Sequence, residues 1–267
     1  MFSGTEVVSN IQERCVEVRI VAGGNAMFDT ANDYRILCAE KAIEFLRKIF
    51  SSGRYIQRQE RIKAMQALES AQRALMIIKY SYMEKRDLVR SEYVQELKKC
   101  SEQILEALGG RDWADKLLER SQKNAHETVK EMIAQIRFCL NILYNLDWRL
   151  LSGKDGEIAH GVDIRVGKVL SVTRHPNANN LLVCRVDVGG AYITVVTNDL
   201  TIRKEDSVAV ALLPPKNLRG IISEGMFLGS SEGVLKNVRG NPGEWAEVPE
   251  DALKEARNFI NEFLKSK

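Results

Sequence analysis

The apolar residues of the first half of the chain recur at the spacing of an α-helix. From about Asp33 to Trp148 they return every three or four positions, so that one face of each helix can be buried. One helix is predicted to begin at the capping residue Asp33 and to end at Gly53. Two more are predicted around 64–82 and 89–108. This half is therefore predicted to be all α.

The last helix of this half is predicted to be long. Its apolar residues follow a near-heptad stripe from Asp112 to Trp148, and a helix of that span would extend about 50 Å. Such a length exceeds one small core, whereas short glycine-marked turns between helices favour antiparallel neighbours. The pattern predicts an up-and-down bundle with one helix reaching toward a partner. An earlier segment, 6–20, fits either a helix or a strand.

The apolar pattern changes after a polar, glycine-rich segment at 152–161, which has the composition of a linker. Short runs rich in Val, Ile and Leu follow, and turn residues separate them. The runs lie at 163–172, 181–188, 191–197, 207–213 and 225–229. About five short strands within some 80 residues predict a small closed barrel. A helix led by Pro249 is predicted to close the chain.

The helical spacing of the first half and the short apolar runs of the second predict a multidomain α and β protein. A length of 267 residues accommodates two domains. The predicted domains are an N-terminal all-α helical bundle at 1–151, a linker at 152–161, and a C-terminal β-barrel with its terminal helix at 162–267.

Composition narrows the class of protein. Hydrophobic residues make up 45% of the chain, and no stretch approaches the roughly 18 consecutive apolar residues of a membrane span. The start, MFSGTEVVSN, lacks the basic and apolar regions of a secretory signal, so we expect a cytoplasmic protein without a membrane partner. The five cysteines are scattered and have no CxxC spacing. They predict small buried residues, not disulfides or a metal site.

Charge is unevenly distributed along the chain. The net charge is only +3, but residues 54–90 contain nine Lys or Arg against four Asp or Glu. Within this stretch Arg54, Arg58 and Arg61 are spaced so that, in one helix, all three would project within about 60° of one another. They predict a secondary basic surface, to which an ordinary solvated face is the alternative.

Three segments of the barrel half contain more polar chemistry than strands and turns require. They are HPNANNL at 175–181, TND at 197–199 and PPKNLRGIISEGM at 214–226. Cationic donors suit phosphates, amides and hydroxyls suit base edges, and a thioether can pack on an unpaired base. His175 is interpreted as a turn residue beside Pro176. No nucleophile, metal-ligand or phosphate-loop pattern is present, so we expect neither an enzyme nor a cofactor.

The order RVGKV, HPxAxxL, VDVG, PPKxLRG and SxGM over about 160–230 resembles the tRNA-binding domain family. That family includes OB-fold modules of some methionyl- and phenylalanyl-tRNA synthetases, free-standing structure-specific tRNA-binding proteins, and endothelial monocyte-activating polypeptides. The resemblance implies an OB-fold barrel whose tRNA contacts are matched in this sequence by Asn177, Asn180, Lys216, Arg219, Ser223 and Met226.

The sequence departs from the family pattern in two places. Family members usually read HPxADKL, whereas this chain has Asn179 and Asn180 in place of the acid and the lysine. Thr197 and Asn198 stand where Ser-Gly is typical. These changes weaken RNA binding or redirect it to another nucleic acid or a peptide, and the sequence does not choose between these outcomes.

The resemblance implies a non-catalytic protein that binds tRNA by shape and backbone through its OB-fold. Its expected role is to assist an aminoacyl-tRNA synthetase or another translation component in trans. The alternative is a protein-interaction or chaperone-like module in which the helical bundle docks a partner and RNA binding is secondary. Family members often pair their barrels, so a homodimer is a further hypothesis.

Overall fold

The computed structural model describes residues 28–266, so the segment at 6–20 lies outside the described residues. Its contacts divide the chain into two units. Of the described residues, the first unit contains 28–123 together with Cys139–Gly161. The second contains Asn124–Phe138 together with the chain from Val162 onward.

The described residues form eight α-helices, seven before the sheet and one after it. They are α1 (Tyr34–Ser52), α2 (Arg58–Lys79), α3 (Lys85–Arg90), α4 (Glu92–Leu108), α5 (Trp113–Arg120), α6 (His126–Tyr144), α7 (Leu146–Ser152) and α8 (Lys254–Lys265). The predicted fold class, helices followed by a sheet and a terminal helix, is confirmed. None of the described helices is long and apolar enough to span a membrane.

Helix α1 begins and ends where the sequence predicts. The Asp33 carboxylate accepts a hydrogen bond from the Arg35 N–H at 2.9 Å, which satisfies one of the free donors of the first turn. Gly53 ends the helix at φ 67°, a left-handed conformation that costs glycine little. The apolar stripe of the helix, represented by Ile36 and Leu46, is fully buried.

The prediction of one long helix over 112–148 is wrong. The chain leaves the helix at Ser121, whose backbone is extended at ψ 148° and whose hydroxyl donates to the Leu118 carbonyl at 2.8 Å. A second break falls at Asn145, between α6 and α7. The Ser121 side chain competes for backbone hydrogen bonds, and the polar run at 119–124 supplies no apolar residue to bury in the core. At Asn145 the side-chain amide donates to the Asn141 side chain at 2.8 Å.

The predicted helical spacing of Arg54, Arg58 and Arg61 is also wrong. Helix α2 begins only at Arg58, behind Gln57, whose side chain and that of Glu60 form a reciprocal cap. Arg54 therefore lies outside the helix, and only Arg58 and Arg61 share it. The three side chains do not form the single helical row from which the basic surface was predicted.

The first unit is built on α2, which packs against both α1 and α4. Helix α3 packs against α7, and a 3₁₀ turn at Ile158–Gly161 packs against α1. Ala159, His160 and Gly161 are buried in that turn. Part of the segment predicted as a linker is therefore folded into this unit.

A buried guanidinium connects three parts of this unit. Arg35 is 1% exposed and pairs with Asp33 at 2.5 Å and with Asp155 at 2.6 Å. It also donates to the carbonyls of Leu150 and Gly153 at 3.3 and 2.8 Å. The side chain thus joins the start of α1 to the end of α7 and the segment that follows.

We predict that Arg35→Ala lowers the free energy of unfolding by about 3 to 5 kcal/mol, because it leaves a buried carboxylate and two carbonyls without their donor. Urea denaturation measures the change. Lys99→Ala is the control, since Lys99 forms an exposed pair with Glu96 at 3.7 Å and should change stability by less than about 0.5 kcal/mol. Equal effects of the two substitutions would contradict the role of Arg35.

The second unit contains a five-stranded antiparallel sheet in the order β3-β2-β1-β4-β5 and a two-stranded β6-β7 pair. Its strands are β1 (Ile164–Arg174), β2 (Leu182–Asp187), β3 (Tyr192–Thr197), β4 (Ser207–Leu218), β5 (Ile221–Phe227), β6 (Gly229–Ser230) and β7 (Gly233–Val234). Five strands are confirmed, but the last two differ in extent from the prediction: β4 continues through Pro214 and Pro215 to Leu218, and β5 begins at Ile221 and not at Gly225. Alternate residues, among them Val169, Cys184, Val195, Val208 and Phe227, form one buried core, consistent with an OB-type barrel.

The four described cysteines are buried and free, as predicted, and Cys15 lies outside the described residues. Burial raises the pKa of the Cys38 thiol to about 12 and that of the Cys184 thiol to about 11. Thiols held protonated in this way behave as small apolar residues. Among the described residues no group of His, Cys, Asp and Glu is arranged to hold a metal ion.

Candidate nucleic-acid interface

The loop between β1 and β2, residues 175–181, is anchored by its first residue. His175 is 4% exposed, and its Nε2 lies 2.9 Å from the carbonyl oxygen of Leu218 in the β4–β5 hairpin. Its Nδ1 accepts from the Asn177 N–H at 3.0 Å. These two bonds assign the proton to Nε2 and give both ring nitrogens internal partners. The interpretation of His175 as a structural turn residue is confirmed.

The β4–β5 hairpin turns through two residues. Arg219 and Gly220 have φ values of 55° and 94°, and Leu218 pairs with Ile221 across the turn. Positive φ at both central positions is the two-residue turn that matches the twist of a hairpin, and it favours glycine at the second position. The Gly220 N–H also donates to the Asn217 side chain at 2.8 Å. The backbone thus presents the Arg219 side chain at the tip.

The structure brings Asn177 and Arg219 together. The Asn177 amide donates to the Arg219 carbonyl at 3.0 Å, and the Arg219 guanidinium donates to the Asn177 carbonyl at 3.3 Å. Both residues are exposed. The guanidinium has five N–H donors and the bond to Asn177 uses one of them, so this exposed side chain can also donate to an anionic ligand.

The other predicted site residues are placed differently. Asn180 is exposed in the same loop as Asn177. Lys216 is exposed on β4, with its ammonium 5.6 Å from the centre of the Phe259 ring, a cation–π distance. Met226 is partly buried on β5, opposite Ala211. These three therefore offer an amide, a cation and a partly covered thioether on three separate elements.

Ser223 is buried, and its hydroxyl has two partners inside the domain. It accepts from the Val196 N–H at 3.0 Å and donates to the Gly225 carbonyl at 2.9 Å. Next to it, the Glu224 carboxylate accepts from the Thr194 N–H at 3.1 Å. Side chains of β5 thus accept hydrogen bonds from backbone donors of β3. Because β3 and β5 are the two end strands of the sheet, these bonds connect its two edges.

Sequence reasoning missed the contribution of α6 to this unit. The amide of Asn217 donates to the Glu127 carboxylate at 2.8 Å, and Phe138 meets Phe263 of α8 edge to face at 5.4 Å. Residues 124–138 had been assigned to the bundle because their apolar spacing is helical, and helical spacing does not identify the surface against which a helix packs. An acidic side chain therefore lies beside the hairpin whose tip carries Arg219.

Comparison with known proteins agrees with this geometry. Residues 164–253 match the family described as "Putative tRNA binding domain", and residues 27–153 match a family described as "Alpha helical domain". The C-terminal domain belongs to the tRNA-binding domain family. The resemblance inferred from the motifs at 160–230 is thereby confirmed.

Individual relatives match over the tRNA-binding domain. This chain is 41% identical over 78 residues to the methionine–tRNA ligase of Pyrococcus furiosus and 38% identical over 78 residues to that of Nanoarchaeum equitans. It is 41% identical over 85 residues to the cytoplasmic tyrosine–tRNA ligase of Xenopus laevis. The matches cover 27 to 29% of this chain and only 11%, 10% and 16% of the three ligases in turn.

The charge state of Glu224 gives a test of how the tRNA-binding domain is closed. Burial raises the pKa of this carboxyl, although the Thr194 hydrogen bond and the charge of Arg137 oppose the rise. Because the folded-state pKa exceeds the ordinary value of about 4.3, the folded state holds the proton more tightly than the unfolded state. The stability that the protonated Glu224 carboxyl contributes is present at low pH and is lost as pH rises through its folded-state pKa.

We predict that Glu224→Gln flattens this dependence and makes the protein more stable than wild type at pH 7, since the amide oxygen still accepts from Thr194 but carries no charge. The urea concentration at the midpoint of unfolding, determined at several pH values between 4 and 8, measures the stability of both proteins. Glu232→Gln, at an exposed acid, should leave the profile as in wild type. A Glu224→Gln protein that is less stable at pH 7 would show that closure needs the carboxylate charge.

Proposed function

We propose that this protein is a non-catalytic tRNA-binding protein that acts in the cytoplasm and assists an aminoacyl-tRNA synthetase or another translation component in trans. The observation that carries the proposal is the junction of two loops in a domain of the tRNA-binding family. There the guanidinium of Arg219 and the amide of Asn177 are exposed and hold each other in place.

The chemistry of the junction suits the outside of a folded RNA. A guanidinium binds phosphate through several donors, and amide side chains bond to sugar hydroxyls or base edges. We include Asn180 and Lys216 in the interface because both are exposed on the elements that flank the junction. Met226 is retained as an apolar edge. For Ser223 we propose an indirect contribution, because its hydroxyl is already bonded at both ends.

The similarity of the barrel domain to part of several tRNA ligases supports the proposed role in trans. The matched region of the Pyrococcus furiosus ligase is 11% of that protein. A separate chain with this domain raises the local concentration of tRNA for an enzyme that it also contacts. Joining two weak binding events in this way raises avidity by about 10²- to 10⁴-fold.

One observation favours the second candidate function, a protein-interaction module. The first unit exposes large apolar side chains on and after α2, between 37% and 55% accessible: Ile62, Met76, Ile77, Tyr80 and Tyr82. Four of them, Met76, Ile77, Tyr80 and Tyr82, lie within seven residues at and after the end of α2, and clustered exposed apolar side chains are typical of protein contact sites. We therefore propose that the helical unit docks a translation protein or a second copy of the chain while the barrel binds RNA.

We predict that Arg219→Asn weakens tRNA binding by about 1 to 3 kcal/mol, roughly 5- to 150-fold, because it removes a charge-assisted contact. Asparagine is chosen because it tolerates the left-handed backbone at φ 55° and preserves the turn. Fluorescence anisotropy of labelled tRNA with the full-length chain measures the affinity. Titration at several salt concentrations gives the number of phosphates neutralised.

Arg239→Gln is the matched control, because it removes an exposed charge from a segment outside both loops. It should change affinity by less than about twofold, within the small range of surface substitutions. In wild type the logarithm of affinity should fall by about 0.7 to 0.9 per phosphate for each logarithm of salt, and Arg219→Asn should lower this slope by about one phosphate. Salt-independent binding, or a folded Arg219→Asn protein of unchanged affinity, would contradict the proposed interface.

We predict that reversing Arg54, Arg58 and Arg61 to glutamate lowers tRNA affinity by less than about tenfold, which is about 1.4 kcal/mol. The reason is that these side chains do not lie in one helical row, and the helical unit serves protein contact in this proposal. The same anisotropy titration measures the change.

Reversal of Arg47, Lys48 and Arg111, three other exposed cations of the helical unit, controls for the change in net charge. Both triple variants should behave alike. A loss of several hundredfold confined to the Arg54, Arg58 and Arg61 variant would make the helical unit a second RNA-binding surface and refute its assignment to protein contact.

A further inference from the structure

An open groove of about 560 Å³ lies in the barrel unit beside the loop 175–181. It belongs to neither the loop junction nor the hairpin. Its walls are the end of β1, the start of β2 and the segment between β3 and β4. Its lining includes Arg174, Asn179, Leu182, Leu200, Ile202, Arg203 and Lys204.

The lining contains three cations and no acid. Arg174 and Lys204 are exposed, and no acidic side chain among the described residues forms an ion pair with either. The acids that follow Lys204 along the chain are already engaged, Glu205 with Lys168 at 3.3 Å and Asp206 with Lys236 at 3.7 Å. The groove is therefore a region of uncompensated positive charge, which attracts an anionic ligand.

The third cation is held in a fixed orientation. The guanidinium of Arg203 donates to the carbonyls of Leu200 and Ile202 at 2.8 and 2.9 Å. Its own backbone N–H is bonded to the Asp206 carboxylate at 2.8 Å. A guanidinium plane fixed in this way is a surface on which a base can stack.

The segment that carries Leu200 and Arg203 is ordered by Asp199. This carboxylate accepts from the N–H and hydroxyl of Thr201 at 2.8 and 2.6 Å and from the Val234 N–H at 3.1 Å. Burial opposes ionisation, but these hydrogen bonds and the charge of Lys236 prevail and lower the pKa of Asp199. The wall of the groove is therefore built before any ligand arrives.

The groove also has an apolar side. Leu200, which directly follows the polar turn at Asp199, is 51% exposed. Behind it Ile202 is fully buried and Leu182 is nearly so, which gives a firm apolar floor. An apolar surface bordered by three cations complements a ligand that has a flat uncharged face and a negative charge.

We propose that this groove binds one unpaired nucleotide of the RNA, with its phosphate at Arg174 and Lys204 and its base against Leu200 and the Arg203 guanidinium. The inference rests on the proposed function. The loop 175–181 connects the groove to the proposed tRNA interface. Asn177 of this loop is bonded to Arg219, and Asn179, two residues further on, lines the groove. An RNA strand that follows this loop meets both sites.

The test uses the full-length chain and three variants. Arg174→Gln with Lys204→Gln removes the phosphate contacts, Leu200→Ser removes the apolar face, and Arg239→Gln with Lys265→Gln removes the same charge from exposed positions elsewhere. Each is titrated with tRNA over a salt series. Wild type is also titrated with a single-stranded RNA octamer and with a hexaglutamate peptide.

We expect the groove double variant to lose about tenfold or more in tRNA affinity and its salt slope to fall by about 0.7 to 1.4, the value for one or two single-stranded phosphates. The Leu200→Ser protein should lose about threefold to fivefold with an unchanged slope, because a stacking contact carries no charge. The control double variant should change by less than about twofold.

Wild-type binding to tRNA combined with equal affinities of the groove and control double variants would overturn the inference and leave the proposed function intact. Absence of tRNA binding by wild type would instead refute the proposed function itself. Hexaglutamate bound more tightly than the RNA octamer, with this preference lost in the groove variant, would make the groove a site for acidic peptides and overturn its assignment to RNA.

Discussion

The candidate interface depends on one buried imidazole. His175 bonds through Nε2 to the carbonyl of Leu218 and through Nδ1 to the N–H of Asn177, so it connects the hairpin to the neighbouring loop from beneath. With the ring in place, the Asn177 amide donates to the carbonyl of Arg219, and the Arg219 guanidinium donates to the carbonyl of Asn177. Four contacts thus hold two loops in one arrangement before RNA arrives. Such preorganisation limits the entropy that binding must remove.

The first three strands could be predicted with little error, because each is a short apolar run between turn residues. The extents of β4 and β5 could not, because β4 continues through Pro214 and Pro215, which are typical of a turn. The sequence also did not allow the helix breaks at Ser121 and Asn145 to be predicted. At Ser121 the hydroxyl bonds to the local backbone, and such a bond leaves no trace in the apolar spacing. The assignment of residues 124–138 to the bundle failed to anticipate their packing in the barrel unit for a related reason. A helical stripe shows that a face is buried and does not show against what.

Polar chemistry located the site segments in the sequence, and the family resemblance then singled out individual residues within them. Motif order singled out Asn177 and Arg219, and in the structure these two residues are hydrogen-bonded to each other. Ser223 was selected by the same likeness, yet its hydroxyl is used inside the domain. Asn179 and Asn180 replace an expected acid and an expected lysine in the loop, while Arg174, Arg203 and Lys204 supply positive charge to the groove that Asn179 lines. No local pattern reveals this grouping, because these residues come from separate segments.

The bonds from β5 side chains to β3 have a consequence for assembly. A strand at the end of a sheet offers unpaired N–H groups that can template the addition of a strand from another molecule. Here the N–H groups of Thr194 and Val196 are occupied by the Glu224 carboxylate and the Ser223 hydroxyl. The bonds that close the barrel therefore also protect its edge from aggregation. Loss of these two side chains would leave β3 open to strand exchange between copies of the chain.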